Sequence, residues 1–226
     1  MAQLNSFDFE EADIDAWDTA YAYTKTGTPT LSTTQKHGGA KAFSMADTAG
    51  YTAHYVKRSA GFNKVELYGS VWIWVTSSPG DGYKTIVFCY HIASGQSMEL
   101  CLNTARTLLL RSASTSRVST TTAIALNTWT QIKWHWKFAG VSSINEVIIG
   151  AETKTDTTNL TTGNMNDFYI GNDGNGNIAT YYLDDMVLND SEYPVDAVAP
   201  VGGTLGSFRT TGLYQTIGLK SIRIGA

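Results

Sequence analysis

Charge is in short supply in this chain. Asp, Glu, Lys and Arg make up 16% of its 226 residues, and the formal net charge is −4. Such a chain lacks the basic surface that grips a phosphate backbone, which argues against nucleic-acid binding. No apolar run approaches the ~20 residues that cross a bilayer as a helix, so no membrane span is expected. The first residues do not show the basic, apolar and small-residue succession of a secretory leader, so synthesis in the cytoplasm is expected. There are four prolines, four histidines and two cysteines. His37, His54 and His91 stand apart, without metal-ligand spacing. No glycine-rich phosphate loop occurs. Gly95 lies midway between Cys89 and Cys101. A tight hairpin there sets Cys89 opposite Cys101 and Tyr90 opposite Leu100; a disulfide and two separate packed thiols both fit, and separate thiols are favoured.

What the chain has is aromatic residues, with six Trp, twelve Tyr and eight Phe, together with abundant Ser, Thr, Gly and Asn. This is the composition of a β-sandwich or barrel. The organising stretch is Trp129–Phe138. Side chains alternate across a strand, so Thr130, Ile132, Trp134, Trp136 and Phe138 share one face, while Trp129, Gln131, Lys133, His135 and Lys137 share the other. Period 2 fits these residues better than period 3.6. The expected element is a half-buried antiparallel strand with Trp134 in the core and His135 in solvent.

About a dozen short strands can be read along residues 1–190, with no convincing helix. Phe7–Glu10, Thr28–Ser32, Phe43–Met45 and Tyr51–Val56 come first. Val65–Thr76 is apolar on both sides, through Leu67, Val71, Ile73 and Val75 on one and Tyr68, Trp72 and Trp74 on the other, so it is expected to be covered on both faces, with Trp72 in the core. Tyr83–Ile92 and Met98–Leu102 form the hairpin, followed by Thr107–Arg111 and Arg117–Leu126. Asn145–Glu152 follows the organising strand, and Thr153–Gly163 reads as a polar loop. Phe168–Gly171 and Tyr181–Leu188 close the domain, the last with Tyr181, Leu183, Asp185 and Val187 on one face. Residues 191–203 read as a linker with Pro194, Pro200 and Gly202-Gly203. Residues 204–226 form a tail too short for its own core. Its apolar residues Phe208, Leu213, Tyr214, Ile217, Leu219, Ile222 and Ile224, with Arg209, suit either folding back on the domain or docking on a partner by strand addition, and a partner is favoured.

The order Phe7-Asp8-Phe9-Glu10 and Trp17, His37-Gly38-Gly39-Ala40-Lys41-Ala42-Phe43, Val71-Trp72-Ile73-Trp74-Val75, Trp129–Lys133, Phe168–Gly171 and Tyr182–Asp190 resembles the concanavalin A-like lectin/glucanase (LamG-like) jelly roll, over roughly the first 190 residues. The resemblance implies an all-β, two-sheet antiparallel jelly-roll sandwich carrying an extended C-terminal tail. Such chains are common among tailed-phage virion proteins. It therefore implies a non-enzymatic decoration or head/tail accessory protein, made in the host cytoplasm and mounted on other virion proteins by its tail, with a second copy of the chain as a further partner.

Glycosidases of that superfamily carry two glutamates flanking an aspartate at alternating strand positions, about 5 Å apart. No strand here has that pattern: Glu146 and Glu152 are separated by an apolar run, and Asp184 and Asp185 are adjacent. No catalytic residue is assigned. The resemblance also implies a structural calcium between Glu10 and Asp184 or Asp185. Asp173, Asn175 and Asn177 alternate like the start of a calcium loop, but Ile178 stands where that loop needs glycine, so a hairpin turn is the simpler reading. The alternative function is glycan binding through aromatic faces, with Trp129, Tyr83 and Trp74 as the candidate residues.

Overall fold

The computed structural model describes residues 3–7, 9–10, 23–46, 53–58, 62–173 and 179–194. Trp17, Asn175, Asn177 and the tail residues Phe208, Arg209, Leu213, Tyr214, Ile217, Leu219, Ile222 and Ile224 lie outside them. The described elements are β1 (Gln3–Phe7), β2 (Tyr23–Thr26), β3 (Thr30–Ser32), β4 (Ala42–Ala46), β5 (Ala53–Arg58), β6 (Glu66–Ser77), β7 (Tyr83–His91), β8 (Gln96–Asn103), β9 (Thr107–Ser112), β10 (Thr115–Ala123), β11 (Thr130–Lys137), β12 (Ile144–Ile149), β13 (Glu152–Asp156), β14 (Asp167–Asp173) and β15 (Thr180–Asn189). The one helical piece among them is a 3-10 turn at Ile92–Ser94.

These strands make two antiparallel sheets, as the sequence leads one to expect. The eight-stranded sheet runs β13-β12-β11-β6-β15-β4-β3, and β1 pairs with the second half of β15. The seven-stranded sheet runs β10-β9-β8-β7-β14-β5-β2. Between them lies the core, with Trp134 and Trp136 from β11 fully buried beside Leu67, Ile73, Leu100, Leu110, Phe168 and Tyr181. At ~25 cal/mol per Å2 over roughly 200 Å2, each buried indole contributes about 5 kcal/mol before entropy is counted. Trp134 lies over its cross-strand partner Gly69. A Cβ there would stand 2.1 Å from the indole, so the position admits only glycine without a shift.

Polar bonds join the two sheets along one side. Trp136 Nε1 donates to Asn145 Oδ1 at 2.9 Å, and Asn145 Nδ2 donates to the Arg111 carbonyl at 2.9 Å. Ser112 Oγ donates to Asp156 Oδ2 at 2.6 Å. The amides of Thr121 and Thr122 each donate to the Glu152 carboxylate at 2.7 Å. After β15 the chain turns back over the eight-stranded sheet. There Tyr193 sets its ring edge-on to Tyr68, with centroids 5.2 Å apart, and its hydroxyl donates to Glu146 Oε1. Residues 191–194, expected as linker, thus pack on the sandwich.

Several expectations are corrected. The hairpin pairs Cys89 with Met98 and Cys101 with Thr85, because the 3-10 turn and a bulge between Thr85 and Val87 reset the register; both cysteines are free and buried. The polar loop expected after Glu152 begins as β13, a strand whose residues are polar on both sides. It therefore has no apolar face to read, and its charges suit a sheet edge. β15 does not alternate throughout. A bulge between Asp184 and Val187 puts Tyr181, Leu183, Met186 and Leu188 inside, and Asp185 takes a positive φ of 48°. Aspartate tolerates that backbone better than bulkier residues, and the extra residue keeps both carboxylates out of the core. Trp72 is half-buried on the outward face of β6, not in the core. His135 is 7% exposed rather than solvated.

Candidate functional site

The outward face of the seven-stranded sheet carries a row of side chains in register across five strands. Lys57 pairs with Tyr169, Tyr169 with Phe88, Phe88 with Glu99, and Glu99 with Arg111. Four strand spacings of about 4.8 Å make the row about 19 Å long. Each member alternates with core residues such as Val56, Phe168, Ile170, Leu100 and Leu110, which is why the row faces away from the core. Phe88 and Tyr169 stack at 4.0 Å with planes 12° apart, and Tyr55 and Tyr90 stand edge-on to that pair. Tyr55 and Tyr90 are half-buried, so aromatic edge stays accessible there.

Charges at both ends of the row are paired. Lys57 Nζ lies 2.8 Å from Asp167 Oδ2, and the Tyr169 hydroxyl donates to the same oxygen at 3.2 Å. Arg111 Nη1 bonds Glu99 Oε2, and its guanidinium lies 4.3 Å over the Tyr83 ring. Burial pulls the Lys57 amine down, but its bonds to Asp167 and Tyr169 outweigh this and hold its pKa above the ordinary value. Burial pushes the Tyr169 phenol up to about 12. Two buried polar atoms here have no hydrogen-bond partner: Asp167 Oδ1, an acceptor, and Arg111 Nε, a donor. Uncompensated buried polar atoms are costly, so a ligand that meets them gains what water cannot supply.

The opposite, eight-stranded face is organised around two carboxylate groups. Glu66 accepts from Tyr68 OH at 3.0 Å, lies 2.7 Å from His135 Nε2, and pairs with Lys137 Nζ at 3.3 Å. Tyr68 and His135, cross-strand partners, stack at 4.0 Å, which is what shields the histidine. Burial works to raise the Glu66 pKa, but these bonds prevail and hold it below the usual value. Farther along, three carboxylates grip the loop 37–41. Asp184 Oδ2 accepts from the amides of His37 at 2.7 Å and Gly38 at 3.0 Å. Glu10 Oε1 accepts from those of Ala40 at 2.7 Å and Lys41 at 3.0 Å. Asp185 Oδ2 lies 2.8 Å from His37 Nδ1. Gly39, at φ 53°, has no room for a Cβ beside Glu10. These are the residues for which calcium is expected. As arranged they clasp amides and an imidazole, and among the described residues no group of three or more such side chains is set to hold a cation. Burial pushes the Asp184 carboxyl up to about 6, helped by the charge of Asp185.

The clasp also presents His37 to two tryptophans of a cluster of three. His37 stacks on Trp72 at 3.9 Å with planes 14° apart, and meets Trp129 edge-on at 5.6 Å. Trp74 and Trp129 lie 5.7 Å apart with planes at 58°. Of the three glycan candidates, Trp74 and Trp129 are therefore neighbours, while Tyr83 lies on the other sheet beneath Arg111. Sequence reasoning missed the Lys57–Arg111 row. Each strand showed its own alternation, but which residues fall opposite one another depends on the order of strands in the sheet.

No family model and no curated protein matches this chain. Solved structures do. The cellulose-induced protein Cip1 superposes with TM-score 0.62 at 14% identity, over 83% of this chain and 97% of its own. A mutant alginate lyase Aly36B, in complex with alginate trisaccharide, gives TM-score 0.53 at 9% identity over 77% of this chain and 90% of its own. The binding domain of botulinum neurotoxin DC, in complex with SialylT, gives 0.52 at 11% identity over 76% of this chain; the chain spans 43% of that domain's length. At such identities the likeness shows the fold alone, a two-sheet β-sandwich. The virion setting expected from the resemblance has no counterpart among these three.

Proposed function

We propose that this protein is a non-catalytic carbohydrate-binding module, and that the outward face of the seven-stranded sheet is its binding surface. The observation that carries the reading is the in-register row from Lys57 to Arg111, with Asp167 Oδ1 and Arg111 Nε enclosed beside it and unpartnered. A sugar suits that surface. Its C–H faces pack against aromatic rings, and each hydroxyl both donates and accepts, so an oligosaccharide laid along the row offers hydroxyls to the carboxylate near one end and the guanidinium near the other. Lys57 and Tyr169 stay protonated at neutral pH, so both offer hydrogen-bond donors to the hydroxyls of a sugar. Two structures of the same fold, each described in complex with a saccharide or SialylT, support the reading in kind but not in detail.

The test is a glycan array followed by titration calorimetry on the best ligand. Tyr90→Ala and Tyr55→Ala each weaken binding by about tenfold or more, as loss of a stacking ring requires. A blank array, or affinities that neither substitution changes, ends this reading. Mounting on a virion rests on the tail's composition and the sequence resemblance. If a chain lacking 204–226 joins particles as the full chain does, that mounting is wrong.

A further inference from the structure

The eight-stranded face carries a second aromatic group that the surface proposed above does not use. Trp72 and Trp74 point outward from β6, where no second layer of sheet follows among the described residues, and Trp129 is brought beside them by the segment before β11. That segment is pinned: Asn127, at φ 53°, donates its amide to the Val75 carbonyl at 2.9 Å, and Trp129 Nε1 donates to the Lys36 carbonyl at 3.0 Å. All three indoles are half-buried.

We propose that Trp74 and Trp129, with Trp72 and His37 as their support, form a second carbohydrate site that takes a single neutral pyranose ring of an oligosaccharide. Three features select that occupant. The planes of Trp74 and Trp129 meet at 58° with centroids 5.7 Å apart, so they form a notch; coplanar rings would suit a flat polymer surface, whereas a notch seats one sugar ring against one indole face and the edge of the other. The indole N–H of Trp74 is enclosed without an acceptor, and a sugar hydroxyl oxygen supplies one. The fringe is polar and acidic. Gln131 is the cross-strand partner of Trp72, Tyr182 that of Trp74, and the Asp185 side chain is 32% exposed. These groups hydrogen-bond hydroxyls, and the carboxylate repels an acidic sugar. The sheet, the Asn127 turn and the clasp on loop 37–41 fix the rings before any ligand arrives, which lowers the entropic cost of binding.

The full chain is titrated with cellohexaose, laminarihexaose and mannohexaose by calorimetry and tryptophan fluorescence, alongside Trp129→Ala and Tyr90→Ala. At least one hexasaccharide binds the wild type, Trp129→Ala weakens it by about tenfold, and Tyr90→Ala leaves it within about twofold. If Trp129→Ala alters the circular dichroism, Trp129→Phe, with a smaller stacking face, takes its place and gives a loss of about threefold. Three results overturn the second site: none of the sugars binds, binding survives the Trp129 substitution, or the wild type self-associates through this patch and Trp129→Ala abolishes that association. Loss of sugar binding in Tyr90→Ala alone leaves the seven-stranded face as the one site. Loss in Trp129→Ala alone is the result the notch requires, and it leaves the seven-stranded face to be judged by its own glycan array.

Discussion

On the seven-stranded sheet, three outward charges are closed in, and only Lys57, the partner of Asp167, stays partly wet at 27% among the charges of the row. Glu99 is 1% exposed, Arg111 7% and Asp167 3%. On the eight-stranded sheet, the charges that organise the surface stay partly wet: the side chains of Glu66, Lys137 and Asp185 are 27%, 32% and 32% exposed. The difference lies in the dielectric each charge feels. A closed pair interacts strongly but has given up its water, so removing one partner strands the other; a wet pair gains little and loses little. Specificity set by fixed charge is thus built on one face, while the other relies on ring geometry.

That contrast can be broken at several points. Arg111→Met leaves Glu99 buried without its cation, though the Ser97 hydroxyl still donates to it at 2.7 Å, and urea unfolding should show a loss of about 3 kcal/mol, much of it recovered in the Glu99→Leu/Arg111→Met double variant. A loss under about 1 kcal/mol would mean the pair is not closed off. Asp184 is the exception on the wet face, being fully buried. Its folded pKa, about 6, lies above the ordinary 3.8, so the fold favours its protonated form. That contribution is complete at low pH and is lost as pH rises. Relative to Asp184→Asn, the wild type should lose of order 2 kcal/mol between about pH 4 and pH 7. Glu66→Gln, on the wet side, costs about 1 kcal/mol or less, despite three polar partners. The smallest effect concerns the loop clasp: because amides already occupy Glu10 and Asp184, removing divalent ions with EDTA should leave the melting temperature within about 1 °C. A clear fall would reinstate the calcium expected from the sequence.

The inner half of the fold was legible because apolar alternation is a local signal: Trp134, Trp136, Ile132 and Val147 could be placed on the core side from their own strands. Register was not. Thr85–Val87 and Asp184–Val187 each add a residue, and a single addition moves every later side chain to the other face. For that reason Asp185 was expected inward, while the expected pairing of Cys89 with Cys101 fails because the 3-10 turn at Ile92–Ser94 centres the hairpin before Gly95. Edge strand β13 escaped for lack of any apolar residue. The outward faces were legible only in part. Trp129 beside polar neighbours in the sequence marked it as outward, but Trp72 and Trp74 look the same whether a second layer covers them or not. The Glu99–Arg111 pair, twelve residues apart, needed the β8–β9 register to be seen.

The Tyr193 latch has a mechanical consequence. Tension applied to the chain at Pro194 meets that ring and its hydroxyl bond to Glu146 on β12 before it reaches β15. Load is thereby spread sideways over β6, β11 and β12 instead of peeling the last strand from its neighbours one bond at a time. A domain fastened in this way resists being unzipped from its C-terminal end.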